Sequence, residues 1–233
     1  MIPLRDDNPS ELRPIVSIAL IVICTLVFLW QISHGIQGAQ KVIYSLGLIP
    51  SVLFGINQLP AELASVPPTL TVLTSMFLHG GWLHLIGNML YLWIFGDNVE
   101  DAMGHVRFAI FYVLCGVAAA FAQAIPDPSS VVPMVGASGA ISGVLGAYLL
   151  LYPHARVLVA IPLGFYLHTM RLPAGVVLLL WFGMQFLSNV LTASSGGGGV
   201  AFRAHIGGFV AGMVFVTVFK RRGFRLMNPI RTS

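Results

Sequence analysis

The chain is built around apolar segments of roughly 16 to 20 residues that show no strict two-residue alternation. In a bilayer every backbone N–H and C=O must be satisfied inside the protein, which leaves only helices and closed barrels. Barrel strands are shorter and alternate, so the chain reads as an all-α membrane protein. Composition agrees: 57% of the 233 residues are hydrophobic and 9% are charged, whereas a soluble domain carries about 25% charged residues.

Six spans are expected, over Ile15–Ile32, Phe77–Phe95, Phe108–Ile125, Gly136–Leu151, Ala174–Leu191 and Val200–Phe219. They define a core of residues 15–219 between a short tail, 1–14, and a basic tail, 220–233. A long first loop runs from Ser33 to about Thr71, with breakers in "ASVPPTL". The fourth span is short for a crossing, so its outer end should start below the membrane surface. The stretch "RVLVAIPLGFYLHTMRL" before the fifth span reads as an interfacial connection.

Lysine and arginine set the orientation. Arg5, Arg13, Arg107, Arg156, Arg171, Lys220, Arg221, Arg222, Arg225 and Arg231 fall on one side. The other side holds only Lys41, with Arg203 inside the last span. This bias places both termini in the cytoplasm. The formal charge of +4 is therefore topogenic and carries no nucleic-acid role. Residues 1–14 lack the basic start and short apolar run of a signal peptide, so none is expected. Cys24 and Cys115 both lie in apolar segments, which suits packing better than a disulfide.

Polar side chains inside spans are costly and face the bundle interior. Ser138, in "GASGAISG", and His205, in "AHIGGFVAG", both fall near the outer ends of their spans. His84 and Asn88 lie at similar depth in the second span. A serine hydroxyl needs a base within hydrogen-bond reach, and histidine is the commonest. The four-residue repeats Gly139/Gly143 and Gly208/Gly212 let two helices approach closely enough for that contact. His84 and Asn88, spaced i, i+4, share a helix face and offer N–H donors for an oxyanion. The backbone N–H of Ser138, in the first turn of its helix, adds another. No carboxylate is spaced to complete a triad; Glu62 and Asp127 are in outer loops, while Asp97, Glu100 and Asp101 lie at the inner end. His79 and His84 are five apart with no acidic residue between them, which is not zinc spacing, and neither a metal nor another cofactor is expected.

The segments "TSMFLHGGWLHLIGNMLYLWIFGDNVED", "GASGAISGVLGAY" and "AHIGGFVAG" resemble the rhomboid intramembrane serine proteases. The resemblance implies a six-transmembrane-helix bundle that cleaves single-span or multi-span membrane proteins within the lipid bilayer. It implies Ser138 as nucleophile, His205 as general base, and His84 and Asn88 in the oxyanion hole. Gly136, Gly139, Gly143, Gly208 and Gly212 would pack the helices at the site. The small size matches prokaryotic-type members and points to a prokaryotic plasma membrane, with the site opening to the outer face.

Two departures stand out. No Trp-Arg pair occurs in the first loop, and Ser142 occupies the position where some members place an aromatic residue against the imidazole. A non-catalytic relative that only holds client helices is the main alternative. A transporter fits less well, because no internal repeat links the halves and the polar cluster is displaced to one leaflet.

Overall fold

The computed structural model describes residues 1–163, 166–193 and 202–227. In chain order the elements are β1 (Ile2–Asp6), α1 (Ile15–Ser33), α2 (Gly35–Leu46), α3 (Pro50–Leu53), α4 (Thr71–Thr74), α5 (Trp82–Met103), α6 (His105–Ala124), α7 (Ser138–Leu151), β2 (Arg156–Leu163), β3 (Tyr166–Pro173), α8 (Ala174–Ala193) and α9 (Phe202–Phe219). Short 3-10 turns at Pro68–Leu70 and Ser75–Phe77 flank α4.

Three helices, α1, α6 and α9, are long and apolar enough to cross a membrane. The pair Pro68–Phe77 and Trp82–Met103, bent by 78°, makes a fourth if it is counted as one span. Helix α7 and the Ala174–Met184 part of α8 are apolar but shorter. Among the described residues length and composition thus support three to four crossings, and they do not confirm the six drawn from the sequence. The second expected span also begins later, because the chain breaks before Trp82. The first loop is not all loop: α2 follows α1 after His34 alone.

Helix α7 is the axle of the bundle. Its 14 residues extend about 21 Å, short of a bilayer core of about 30 Å. All side chains and glycines from Gly139 to Tyr148 are buried. A helix wrapped entirely by protein has no need to match the lipid thickness, which explains its shortness.

The tightest neighbour of α7 is α9. A Cβ placed on Gly208 would collide with the Gly139 carbonyl oxygen, and one on Gly212 with that of Gly143. The two contacts advance together along both chains, so α7 and α9 run parallel. Gly139 meets α6 as well, where an added Cβ would come within 2.6 Å of the Ala119 methyl. Such backbone-to-backbone approach lets dispersion and Cα–H···O contacts replace the hydrophobic driving force that lipid cannot supply.

The opposite end of the bundle is held by carboxylates at the end of α5. Helix α1 has no side-chain cap of its own. Buried Glu100 supplies one, accepting the N–H groups of Val16 and Ser17 at 2.8 Å each and the Ser17 hydroxyl at 2.7 Å. The same carboxylate is 2.6 Å from His105 Nδ1 at the start of α6. Asp101 accepts the Glu11 N–H at 3.1 Å and pairs with the Arg221 guanidinium at 3.0 Å. Asn8 bonds Asn98, and Ser10 donates to Asp97 at 3.0 Å. Three segments distant in sequence converge here.

The interfacial connection is a β-hairpin. Strands β2 and β3 pair antiparallel, and β1 from the N-terminal tail joins β2 to complete a three-stranded sheet. The all-α expectation is corrected at this point. Val157 and Val159 project into the bundle core, while Arg156 and Leu158 face away, which is the period-two pattern of a half-buried strand. The Tyr148 hydroxyl of α7 donates to Asp6 at 2.5 Å and pins β1 beneath the bundle.

Gly212→Ala has two opposed effects. Helix propensity favours alanine by about 1 kcal/mol, but the added methyl strikes a backbone oxygen that α7 cannot withdraw. Overpacking of this kind costs about 1–3 kcal/mol, so the unfolding midpoint in detergent should fall. Gly183→Ala in α8, where an added Cβ meets nothing within 4 Å, should leave it unchanged or raised. A rise for Gly212→Ala would refute the close contact.

Burial, with the Asp97 and Asp7 charges adding to it, pushes the Asp6 carboxyl from its ordinary 3.8 up to about 7, although the Tyr148 hydrogen bond pulls the other way. Between those values the folded chain binds more protons than the unfolded one, so this group's contribution to stability declines as pH rises from about 4 to 7. Asp6→Asn should flatten that part of the profile in thermal unfolding measured across pH.

Candidate active site

Gly136 sets the geometry ahead of α7. Its φ of 125° is a conformation that side chains rarely allow. A Cβ there would also fall 2.7 Å from Cε1 and Nε2 of His84. The Gly136 N–H bonds the Ser75 carbonyl at 2.9 Å, tying this turn to the bent segment before α5. The chain then enters α7 at Ser138, whose side chain is half-buried.

The Ser138 hydroxyl lies 2.8 Å from Nε2 of His205. This contact joins two residues 67 positions apart and depends on the parallel glycine contact one turn deeper. His205 is buried, and its Nδ1 has no hydrogen-bond partner among the described residues. No carboxylate reaches it there; Asp127 accepts the Ser129 hydroxyl at 3.1 Å instead.

His84 and Asn88 come to the same place from α5. His84 Nδ1 accepts the Gly80 N–H at 3.3 Å. That bond leaves the proton of the neutral ring on Nε2, the atom facing Gly136. Asn88 Nδ2 is buried without a partner, and a Cβ on Gly136 would sit 3.7 Å from it. A buried donor left unpaired costs about 1–3 kcal/mol, so its retention here fits a site built to receive an acceptor. Beside Ser138 is a cavity of about 20 Å³, lined in part by Ser75, Met134 and Gly136. That is room for one water molecule.

Sequence reasoning missed two supports. Ser142 donates its hydroxyl to the Ser138 carbonyl at 2.8 Å, so α7 presents no ring to His205. Trp181 of α8 does so, with ring centroids 5.5 Å apart at 40°. Trp181 also packs on Tyr91 of α5 at 5.6 Å, bridging α5 and α9 across the site. Nothing in an apolar run singles out this tryptophan. The second support is Gln31 of α1, whose amide donates to the His79 carbonyl at 2.8 Å and fixes the turn before α5.

The first loop, without a Trp-Arg pair, is held by backbone bonds. Leu48 and Met134 exchange N–H···O contacts of 3.0 and 2.7 Å, and the Thr74 hydroxyl donates to the Leu46 carbonyl at 2.6 Å. The composition of the glycine-rich segment "TASSGGGGV" suits a substrate gate; from Ser194 onward it lies outside the described residues.

Comparison with known proteins adds the lineage. The chain is 29% identical over 195 residues to Rhomboid protein 1, mitochondrial, of Saccharomyces cerevisiae, covering 76% of this chain and 52% of the relative. It is 27% identical over 209 residues to the presenilin-associated rhomboid-like protein, mitochondrial, of Mus musculus, covering 85% and 53%. It is 34% identical over 142 residues to the rhomboid protease GluP of Bacillus subtilis, covering 60% and 24%. The chain thus spans about half or less of the length of these relatives. Mitochondrial and bacterial proteins both match, so the prokaryotic plasma membrane expected from the sequence gains no support, and a membrane location is what remains. Residues 68–222, well over half of the chain, match the family described as Rhomboid domain. With the helical bundle and the three sequence segments in agreement, the chain belongs to the rhomboid family.

Proposed function

We propose that this protein is an intramembrane serine endopeptidase that hydrolyses peptide bonds in or near transmembrane segments of other membrane proteins. The observation that carries the reading is the 2.8 Å approach of the Ser138 hydroxyl to His205 Nε2 beside unpaired N–H donors. The names of the relatives support it, since GluP is called a rhomboid protease. In this reading the bundle crosses the bilayer six times, through α1, α5, α6, α7, α8 and α9, with both termini in the cytoplasm. Ser138 then lies toward the outer face.

The chemistry follows from the groups present. Ser138 Oγ attacks the scissile carbonyl while His205 Nε2 takes its proton. The carbonyl oxygen gathers negative charge and is met by Asn88 Nδ2, His84 Nε2 and the Ser138 backbone N–H. His205 returns the proton to the departing amine, leaving an acyl-serine. Water, deprotonated by the same imidazole, then releases the new carboxylate and restores the serine. A substrate helix must open first, because an intact turn shields its peptide bonds; helix-breaking residues near the cut make opening easier.

Ser138→Ala should reduce cleavage of a reconstituted single-span substrate by on the order of 10⁴-fold or more and abolish fluorophosphonate labelling. Asn88→Ala should lower the turnover rate by about 10²–10³-fold. Full cleavage by Ser138→Ala would end the proposal, and a wild-type chain that resists labelling would favour the non-catalytic alternative.

Trp181 acts in this scheme as a positioning residue. Trp181→Ala should lower kcat more than it raises KM and shift the pH profile, with Trp181→Phe recovering part of the rate. Higher activity in Trp181→Ala would mean that the ring restrains substrate access rather than holding the base.

A further inference from the structure

One face of the three-stranded sheet carries exposed arginines from all three strands. Antiparallel pairing aligns Arg5 of β1, Leu158 of β2 and Arg171 of β3 in one cross-strand row. Arg156 lies two residues from Leu158 and so shares that face. The three exposed arginines surround a cavity of about 200 Å³, with Leu158 between them. Among the described residues none of the three guanidinium groups has an ion pair or a side-chain hydrogen bond.

Asp6 and Asp7 line the same cavity, and among the described residues neither carboxyl is bonded to a guanidinium group. Asp6 accepts the Tyr148 hydroxyl at 2.5 Å, and Asp7 accepts the Arg156 N–H at 2.8 Å. Like charges on neighbouring strands repel. The three guanidinium groups outnumber the two acidic side chains of the cavity, so an anion from outside is stabilised there, and guanidinium forks match a phosphate.

The position of the sheet identifies where that anion comes from. Strand β2 begins five residues after α7 ends, and β3 passes into α8 with no residue between them. The cluster is therefore held where the helices end, at the membrane surface opposite Ser138. At the other end of β3 from Arg171, Tyr166 is 83% exposed and Leu167 63%. An exposed tyrosine and leucine on the same strand as a cationic residue suit a headgroup boundary. They offer nothing to a free ion.

We propose that this face of the sheet binds the phosphate of an anionic phospholipid through Arg5, Arg156 and Arg171, with Tyr166 and Leu167 of β3 seated in the same leaflet. This proposal does not depend on the chemistry at Ser138.

The test uses the full chain in detergent micelles doped with phosphatidylglycerol or phosphatidylcholine, with retained lipid read by native mass spectrometry. Wild type should retain phosphatidylglycerol in preference. Arg171→Gln should weaken retention about fivefold, and the triple variant Arg5→Gln, Arg156→Gln, Arg171→Gln on the order of a hundredfold. Unchanged retention in either variant, or equal retention of both lipids by wild type, would overturn the proposal. So would an equal loss in Arg222→Gln, Arg225→Gln, which removes two tail charges and leaves the sheet intact. Millimolar inorganic phosphate should not displace the lipid; full displacement would make the cluster a free-phosphate site and refute the lipid assignment.

Discussion

The whole arrangement depends on two helices touching through their backbones. Where Gly208 meets Gly139 and Gly212 meets Gly143, no side chain separates α7 from α9. Parallel helices in that contact bring their N-terminal ends to the same level, so Ser138 and His205 need no long side chains to meet. The third helix in the packing, α6, closes on the same glycine stripe through Ala119 and Cys115. A close-packed interior transmits small shifts instead of absorbing them, which makes the serine–imidazole distance a property of helix packing.

Around that contact the polar groups divide into two populations. Near Ser138 they are under-satisfied: His205 Nδ1 and Asn88 Nδ2 are buried without partners among the described residues. At the opposite end Glu100 alone accepts from Val16, Ser17 and His105, while Asn8 Oδ1 and Arg221 Nε are left without partners among the described residues. Buried carboxylates persist where several donors compensate their desolvation. One end of the bundle is thus chemically open and the other is locked.

Much of this was legible in the sequence. Helical spans could be drawn because 3.6-residue packing leaves long apolar runs, and Ser138, His205, His84 and Asn88 stood out as polar groups inside them. The hairpin was hidden because its residues near the turn are apolar on both faces, so the alternation of Val157, Leu158 and Val159 was submerged in a longer greasy stretch. Trp181 could not be found because a tryptophan in an apolar helix is ordinary until tertiary packing sets it on His205. Length and composition show three to four crossings among the described residues; α7, whose 14 residues are enclosed by neighbours, is shorter than the bilayer core.

The cap on α1 has a consequence for how the chain is assembled. Helix α1 is synthesised before α5, yet the carboxylate that satisfies its opening N–H groups is 84 residues downstream of Val16. Until α5 is complete, the start of the first helix has only water or headgroups to bond. The start of α1 is therefore satisfied only once α5 has been made, and its final seating reports that α5 has arrived.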